Sequence, residues 1–121
     1  MRRATVRRKT TETDITVTIN LDGRGRPSVA TGIAFLDHML TLLGTHGGFD
    51  ASVQARGDLA VDLHHTNEDV GLVVGEAFLK ALGSRRGIQR FGWAYVPMEE
   101  ALARVVIDIS GRPKAVLRDL R

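Results

Sequence analysis

Two adjacent histidines, His64 and His65, are followed after two further residues by Glu68, and this group offers the clearest chemistry in the chain. From Asn67 onward the apolar residues recur at helical spacing, so the group lies at the start of a predicted helix with one buried face. Glu68 then stands one turn from both imidazoles, at i+4 and i+3. Neighbouring helical residues point about 100° apart, so the two histidines suit two ions on either side better than one shared ion.

The ligand types narrow the choice of metal. Imidazole and carboxylate suit Mn, Fe, Zn or Ni, and the chain has no cysteine with which to build a structural zinc site. A solvated helix start would show the same residues, because acidic side chains stabilise the N-terminal end of the helix dipole. Residues 62–69 by themselves therefore predict a metal site without excluding an ordinary helix end.

Further candidate side chains lie outside this motif. His38 and His46 fall within a second predicted helix over residues 34–46, about two turns apart and on nearby faces. A lone histidine on such a helix is more often structural, but the confinement of all four histidines to two short segments favours a common site. Glu12, at the head of a predicted strand, adds a carboxylate to the set.

Basic residues are concentrated at the two ends of the chain, and the net charge is +3. Such arms can bind nucleic acid, but the few aromatic residues are not interleaved with them, so a stacking surface for RNA is not expected. A small phosphorylated substrate explains localised arginines equally well. Arg90 and Arg112 lie in glycine-flanked loops, where a guanidinium can grip phosphate oxygens, although each taken singly is an ordinary surface residue.

Composition also limits the location and the class of protein. No apolar run approaches the length of a membrane span, and no apolar stretch follows the charged N-terminus as it would in a signal peptide. We therefore expect no membrane partner. The absence of cysteine excludes a disulfide scaffold and fits a reducing, cytoplasmic location.

The spacing of apolar residues changes along the chain between two residues, as in a strand, and three to four residues, as in a helix. These strands and helices must position the candidate residues. The strand of residues 12–22 ends in a turn at Asp22-Gly23, and the next strand is expected to pair back on it. The order β-β-β-α-β-α predicts an α/β (α+β) protein, a two-layer sandwich with helices on one face of a sheet. The predicted segments are an edge strand or arm at 1–10, strands at 12–22 and 28–33, a helix at 34–46, a strand at 49–56 and a helix from 67 to 82.

The C-terminal part of the chain repeats its opening strands. A constant shift of 88 residues aligns Glu12 with Glu100 and Gly23 with Gly111. The alternating apolar residues between them align as well. Residues 1–86 then form one complete repeat carrying the histidine motif, and residues 87–121 form the opening strands of a second.

The second repeat is incomplete by this interpretation. It is expected to contain a third strand at Lys114–Leu120, yet no helix to cover the apolar face of its strands. An uncovered apolar face is unusual for a globular domain. Either another chain covers it, or the chain is a shortened version of a longer protein.

The motifs occur in one specific order along nearly the whole chain. They are Glu12-Thr13, Phe35-Leu36-Asp37-His38-Met39-Leu40, Gly57-Asp58-Leu59, Asp62-Leu63-His64-His65-Thr66-Asn67-Glu68-Asp69, Arg90-Phe91-Gly92, Pro97-Met98-Glu99-Glu100-Ala101 and Asp108-Ile109-Ser110-Gly111-Arg112-Pro113. In this combination the sequence closely resembles the imidazoleglycerol-phosphate dehydratase family.

The resemblance implies a fold, an assembly and a reaction. The fold would be a duplicated β-β-β-α-β-α unit like the second domain of a small-subunit ribosomal protein, and the assembly a large homo-oligomer, typically a 24-mer. The enzyme would be a hydro-lyase of histidine biosynthesis that dehydrates D-erythro-imidazoleglycerol phosphate to imidazole-acetol phosphate. Two Mn²⁺ ions would occupy each complete site, at subunit interfaces.

The resemblance also assigns roles residue by residue. His38, His64, His65 and Glu68 match metal ligands of the family's first half, Glu12 and His46 match substrate-contacting positions, and Arg90 and Arg112 match phosphate-binding positions. We hypothesise that Glu12 is the general base. Glu68 is the second candidate catalytic carboxylate, although it is better placed as a ligand.

The sequence departs from the family in one respect. The family's second His-His-x-x-Glu set and a phosphate-binding lysine after it have no counterpart in these 121 residues, so we interpret the chain as C-terminally truncated relative to the family. Half of the ligands of the two-metal site are then absent unless another molecule, such as a second copy of the chain, supplies them. We expect this chain alone to bind metal weakly and to be a poor catalyst. The alternatives are a non-catalytic assembly module and an RNA-binding module that retain the fold.

Overall fold

The computed structural model describes residues 1–119. Its elements in chain order are β1 (Arg3–Lys9), β2 (Thr13–Asn20), β3 (Pro27–Ala30), α1 (Ala34–Gly47), β4 (Asp50–Gly57), α2 (His64–Leu82), β5 (Phe91–Met98) and β6 (Ala101–Asp108). The chain divides into two compact units, Met1–Ser84 and Arg85–Arg121. The first unit has the order β-β-β-α-β-α, which confirms the predicted α/β (α+β) class. No helix within residues 1–119 is long and apolar enough to cross a membrane.

The four strands of the first unit form one sheet in the order β1-β2-β4-β3. β1 and β4 are both antiparallel to β2, and β3 runs parallel to β4. The expectation that residues 28–33 pair back on β2 is therefore wrong, because β4 occupies that edge of β2. The reason is the connection through α1, since a strand–helix–strand crossover places its two strands parallel to each other.

A side chain at the start of β4 reinforces this topology. Asp50 Oδ1 accepts hydrogen bonds from the backbone nitrogens of Arg24 (2.9 Å) and Arg26 (3.0 Å). These two bonds hold the pKa of Asp50 below its ordinary value. The turn after β2 is thus tied to β4 and does not close a hairpin between β2 and β3.

The core lies between the sheet and α2, which packs against β1, β2 and β4. Burial alternates strictly along β2, as its sequence period predicts. A valine side chain buried in such a core contributes about 1.5–3 kcal/mol relative to an exposed one, so the core fixes which face of α2 points inward. The main buried side chains are Ile15, Val17, Ile19, Val53, Val70, Val73, Ala77 and Ala81.

α1 covers β3 and β4 and ends in a left-handed cap. Gly48 has φ +73°, and its backbone nitrogen donates a hydrogen bond to the Gly44 carbonyl oxygen (3.0 Å). Gly44 lies inside α1 and is buried. A Cβ there would approach the Pro27 Cβ to 3.2 Å, so this glycine allows the helix to pack closely on the sheet.

β4 and α2 approach each other very closely at Gly57 and Thr66. A Cβ on Gly57 would collide with the Thr66 hydroxyl oxygen. Thr66 is fully buried, and its Oγ1 has no hydrogen-bond partner among the described residues. Only a glycine lets the end of β4 pass against the first turn of α2, and this contact therefore fixes the position of the turn that begins with His64 and His65.

The second unit contains the antiparallel hairpin β5–β6, whose register repeats that of β1–β2. All seven residue pairs of the β1–β2 ladder recur in β5–β6 at an offset of 88 residues. A hydrogen bond beyond the ladder recurs as well, from Leu21 N to Arg2 O (2.9 Å) and from Ile109 N to Arg90 O (3.0 Å). The repeat seen in the sequence is thus present in the backbone geometry.

No third strand follows β6 in the described residues. Residues 113–119 have no regular secondary structure, and Leu120 lies outside the described residues. The expectation of a strand at Lys114–Leu120 is therefore wrong for residues 114–119. In the first unit the corresponding strand, β3, forms its ladder with β4 alone. The described part of the second unit has no counterpart of β4, so the strand with which β3 pairs in the first unit is missing there.

One face of the β5–β6 hairpin is apolar and exposed, as predicted. Val17 and Ile19, which α2 covers, are 0% and 1% exposed, whereas their counterparts Val105 and Ile107 are 52% and 54% exposed. The described part of the second unit contains no helix that could cover them. The same strand pattern therefore gives a core in the first unit and an apolar surface in the second.

Gly57→Ala is expected to destabilise the chain, because the new Cβ must displace the buried Thr66 side chain. Overpacking of this kind typically lowers the free energy of unfolding by about 1–3 kcal/mol. Urea denaturation of the 121-residue chain measures the effect. Gly71→Ala is the matched control, because a Cβ at this position on α2 meets open space, and Ala is favoured over Gly in a helix.

A double variant tests the cause of the destabilisation. Thr66→Ala removes the colliding oxygen, which has no hydrogen bond to lose. Gly57→Ala combined with Thr66→Ala should therefore be more stable than the sum of the two single effects. Strict additivity, or a Gly57→Ala chain as stable as its parent, would contradict this account of the contact.

Candidate active site

α2 begins at the histidine pair. Asp62 Oδ1 accepts hydrogen bonds from the backbone nitrogens of Leu63 (2.5 Å) and His64 (3.2 Å), which satisfies amides that the helix itself leaves free. The His64 and His65 side chains are 69% and 45% exposed. Their ring centroids lie 5.7 Å apart, and the ring planes are inclined by 68°. The two imidazole planes are therefore strongly inclined to each other.

His64 faces Glu68 across one turn of α2, with its Nε2 atom 2.9 Å from Glu68 Oε2. This confirms the predicted i+4 contact. Two ligands of one ion, each about 2.1 Å from it and at right angles, lie about 3.0 Å apart. The observed separation thus fits two neighbouring ligands of a single ion as well as it fits a hydrogen bond.

His65 turns away from His64 and contacts the residue that follows β4. Its Nδ1 atom lies 2.7 Å from Asp58 Oδ2. This hydrogen bond and the charge of Asp58 raise the pKa of His65 above its ordinary value, and the charges of Glu12 and Asp69 act in the same direction. Nε2 of His65 makes no hydrogen bond to any residue that the structure describes, so this nitrogen is available to a ligand.

Glu12 immediately precedes β2, at the end of this strand that lies next to the start of α2. Its backbone nitrogen donates to Thr10 Oγ1 (3.1 Å), and its Oε2 accepts from the same hydroxyl (3.2 Å). The next residue, Thr13, is buried and donates to Asp69 Oδ2 on α2 (2.7 Å). This bond ties the start of β2 to α2 and brings the exposed Glu12 carboxylate near enough to affect the pKa of His65.

The histidines of α1 are not joined to these donors. His38 and His46 are both exposed, and neither makes a hydrogen bond or ion pair with the side chains of α2. Within residues 1–119, no group of three or more His, Cys, Asp or Glu side chains is arranged to hold one ion. The structure brings together two pairs, His64 with Glu68 and His65 with Asp58. The assignment of His38 to the metal stays a prediction.

The two candidate phosphate-binding arginines belong to the second unit. Arg90 forms a two-pronged ion pair with Asp108 (Nε–Oδ1 2.5 Å, Nη2–Oδ2 3.1 Å) and lies over the Phe91 ring. This pair lowers the pKa of Asp108 and is about half exposed, so a phosphate bound by Arg90 must compete with a carboxylate. Arg112 is exposed, and its backbone nitrogen donates to Ser110 Oγ (3.2 Å). Their substrate-binding role stays a prediction.

Asp58 is a site residue that the sequence analysis does not assign to the site. Gly57-Asp58 enters the sequence analysis only as part of a matching motif. The contact with His65 spans a loop, and a separation of seven residues across a loop has no structural meaning by itself. One sequence feature could have indicated this role: a carboxylate follows the last glycine of a strand and shortly precedes a helix that begins with histidines.

Comparison with known proteins places these features in a family. The family model for imidazoleglycerol-phosphate dehydratase matches residues 31–121. The imidazoleglycerol-phosphate dehydratase of Thermoanaerobacter pseudethanolicus is 62% identical over 113 residues, which are 93% of this chain and 58% of the relative. That of Chlorobium phaeovibrioides is 56% identical over 117 residues, with 97% and 58% covered. The chain thus spans 58% of the length of each of these curated relatives.

Two solved structures extend the comparison to the fold. The crystal structure of imidazoleglycerol-phosphate dehydratase from Staphylococcus aureus matches with a TM-score of 0.78 and 36% identity, over 97% of this chain and 66% of that one. The enzyme from Pyrococcus furiosus matches with a TM-score of 0.74 and 37% identity, over 96% of this chain and 63% of that one. The chain belongs to the imidazoleglycerol-phosphate dehydratase family.

Proposed function

We propose that this chain supplies the first half of the active site of an enzyme that dehydrates D-erythro-imidazoleglycerol phosphate to imidazole-acetol phosphate. This hydro-lyase step belongs to histidine biosynthesis, and the cytoplasm is its proposed location, in keeping with a chain without cysteine. Family membership supports the reaction. The single structural observation that carries the proposal is the start of α2, where an imidazole and a carboxylate lie 2.9 Å apart.

The proposed cofactor is Mn²⁺, held in part by His64, His65 and Glu68, with His38 as a further ligand from α1. Imidazole and carboxylate donors without thiolate suit a divalent first-row ion of this kind. The separation of His64 Nε2 and Glu68 Oε2 fits two ligands of one octahedral ion. When bound, the ions would stabilise negative charge that develops on the imidazole ring of the substrate.

Within residues 1–119, the candidate donors form pairs and not complete ligand sets. A metal ion held by one pair therefore needs further ligands from elsewhere in the protein or from another copy of it. This requirement supports the proposal of a homo-oligomer, which in the family is a 24-mer with sites at subunit interfaces. The exposure of the His64, His65 and Glu68 side chains fits such a shared site.

The reaction removes a hydroxyl group from the carbon next to the imidazole ring and a proton from the neighbouring carbon, and the resulting enol becomes a ketone on that neighbouring carbon. We assign the proton transfer to Glu12, whose exposed carboxylate lies in the electrostatic neighbourhood of His65. Arg90 and Arg112 would hold the phosphate and orient the side chain of the substrate. His46 is proposed as a further substrate contact.

The isolated 121-residue chain is expected to bind Mn²⁺ weakly, because each ion gains few ligands from it, and to form imidazole-acetol phosphate slowly. Titration calorimetry with Mn²⁺ and a discontinuous assay of the product measure the two quantities. The double variant His64→Ala with Glu68→Ala is the background control. Robust turnover by this chain, without any other polypeptide, would contradict the proposal that its site is incomplete.

Glu12→Gln is expected to lower kcat by about 10²- to 10⁴-fold, the usual contribution of a positioned general base. Thermal stability should change little, because Glu12 is exposed and its side chain accepts one hydrogen bond from Thr10. The assay uses an active assembly that contains this chain. Glu76→Gln is the matched control, since Glu76 is an exposed carboxylate on α2 that pairs with Lys80. Near-normal turnover by Glu12→Gln would show that another group is the base.

A further inference from the structure

We infer that Asp58 is a positioning residue for His65: its carboxylate keeps the imidazole proton on Nδ1 and so leaves the Nε2 lone pair free for a metal ion. The inference rests on the proposed function, because it takes His65 to be a metal ligand. Asp58 itself touches neither metal nor substrate in this scheme. It acts through the ring that it orients.

The hydrogen bond defines the tautomer of the ring. His65 Nδ1 lies 2.7 Å from Asp58 Oδ2, and an ionised carboxylate can only accept a hydrogen bond. Nδ1 must therefore be the donor, and in the neutral ring the single proton is then absent from Nε2. Only an unprotonated nitrogen can bind a metal ion. The pairing thus selects the one neutral form of His65 whose outward nitrogen is a ligand.

The surroundings hold Asp58 in place for this contact. The Asp58 side chain is 22% exposed, and its backbone oxygen accepts hydrogen bonds from Val61 N (2.8 Å) and Asp62 N (3.4 Å). Its second carboxylate oxygen, Oδ1, is buried without a hydrogen-bond partner among the described residues. An unpartnered buried acceptor costs free energy. The buried Oδ1 therefore destabilises this position of the carboxylate, and the hydrogen bond between Oδ2 and His65 offsets that cost.

The contact between Gly57 and Thr66 lies directly beside the Asp58–His65 hydrogen bond. Gly57 directly precedes Asp58, and Thr66 directly follows His65. Because the Gly57 backbone packs directly against Thr66, both ends of the Asp58–His65 bond are fixed by the same contact. A carboxylate placed behind a histidine ligand in this way orients the ring and raises its basicity.

His64 offers an internal comparison. Its Nε2 faces Glu68 on the same helix, and its Nδ1 makes no hydrogen bond to the described residues. Of the two rings, only His65 is therefore supported by a carboxylate from another element. An ordinary ion pair that merely stabilises the start of α2 would give the same 2.7 Å contact, so the test must report on the ring nitrogens and not on stability alone.

The experiment is ¹⁵N NMR of the histidine rings in the metal-free 121-residue chain, at a pH where His65 is neutral, followed by titration with Mn²⁺. Wild-type His65 is expected to carry its proton on Nδ1. Asp58→Ala should shift the ring toward the Nε2–H form and leave the His64 tautomer unchanged. It should also weaken Mn²⁺ binding at His65 by about 10- to 100-fold, the usual effect of losing such a partner.

Two further variants separate positioning from folding. Asp62→Ala removes hydrogen bonds to the backbone at the start of α2, so it should lower thermal stability without changing the His65 tautomer. Asp58→Asn preserves the volume of the side chain if Asp58→Ala fails to fold. The amide can both donate and accept, so it should give a mixture of the two tautomers.

Three results would overturn the inference: an Nε2–H ring in the wild-type chain, an unchanged tautomer in both Asp58 variants, or a changed tautomer with unchanged Mn²⁺ affinity. Failure of the proposed function looks different. In that case Mn²⁺ broadens no ring proton of His65 even in the wild-type chain, and the positioning role falls with it.

Discussion

The contact between Gly57 and Thr66 is the constraint on which the candidate site depends. The buried face of α2 determines which side of the helix meets the sheet. The close approach of the β4 backbone to a buried threonine, together with the hydrogen bond from Thr13 to Asp69, sets the position of the first turn of the helix. As a result, His65 meets Asp58, and the first turn of α2 presents two mutually inclined imidazoles with Glu68 beneath one of them. The geometry of the site thus depends on a packing contact between a glycine and a side chain from another element.

Local periodicity predicted much of this arrangement, and contacts across loops account for what it missed. The i+4 relation of His64 and Glu68 follows from helix geometry, so it could be predicted from spacing alone. The partner of β3 could not, because the crossover through α1 and the bonds from Asp50 decide it. The role of Asp58 depends on how a loop folds back, and no sequence period encodes that. The relation of His38 to the other donors depends on how α1 and α2 pack, which spacing along the chain does not determine.

The hairpins β1–β2 and β5–β6 share one local sequence pattern but differ in burial. Their ladders coincide pair for pair at an offset of 88 residues, so the alternation of side chains and the turn are enough to define the hairpin. Burial, however, depends on whether a helix packs against the hairpin. Val17 is fully covered by α2, whereas Val105, with the same place in the ladder, is half exposed. The paired donors at the start of α2 and the open apolar face of β5–β6 both fit a chain that completes its site and its core with additional protein.

The central claim is that the two imidazoles at the start of α2 serve different metal ions. The ¹⁵N chemical shifts of the histidine rings during titration with Zn²⁺, a diamagnetic ion that takes the same ligands, test it most directly in the wild-type chain and in His64→Ala and His65→Ala. The account predicts that a metal-bound ring nitrogen persists at His65 in His64→Ala and at His64 in His65→Ala, because each ring binds its own ion. Loss of metal binding at the remaining ring in either single variant, or no metal-bound ring nitrogen at His64 and His65 in the wild-type chain, would contradict the account.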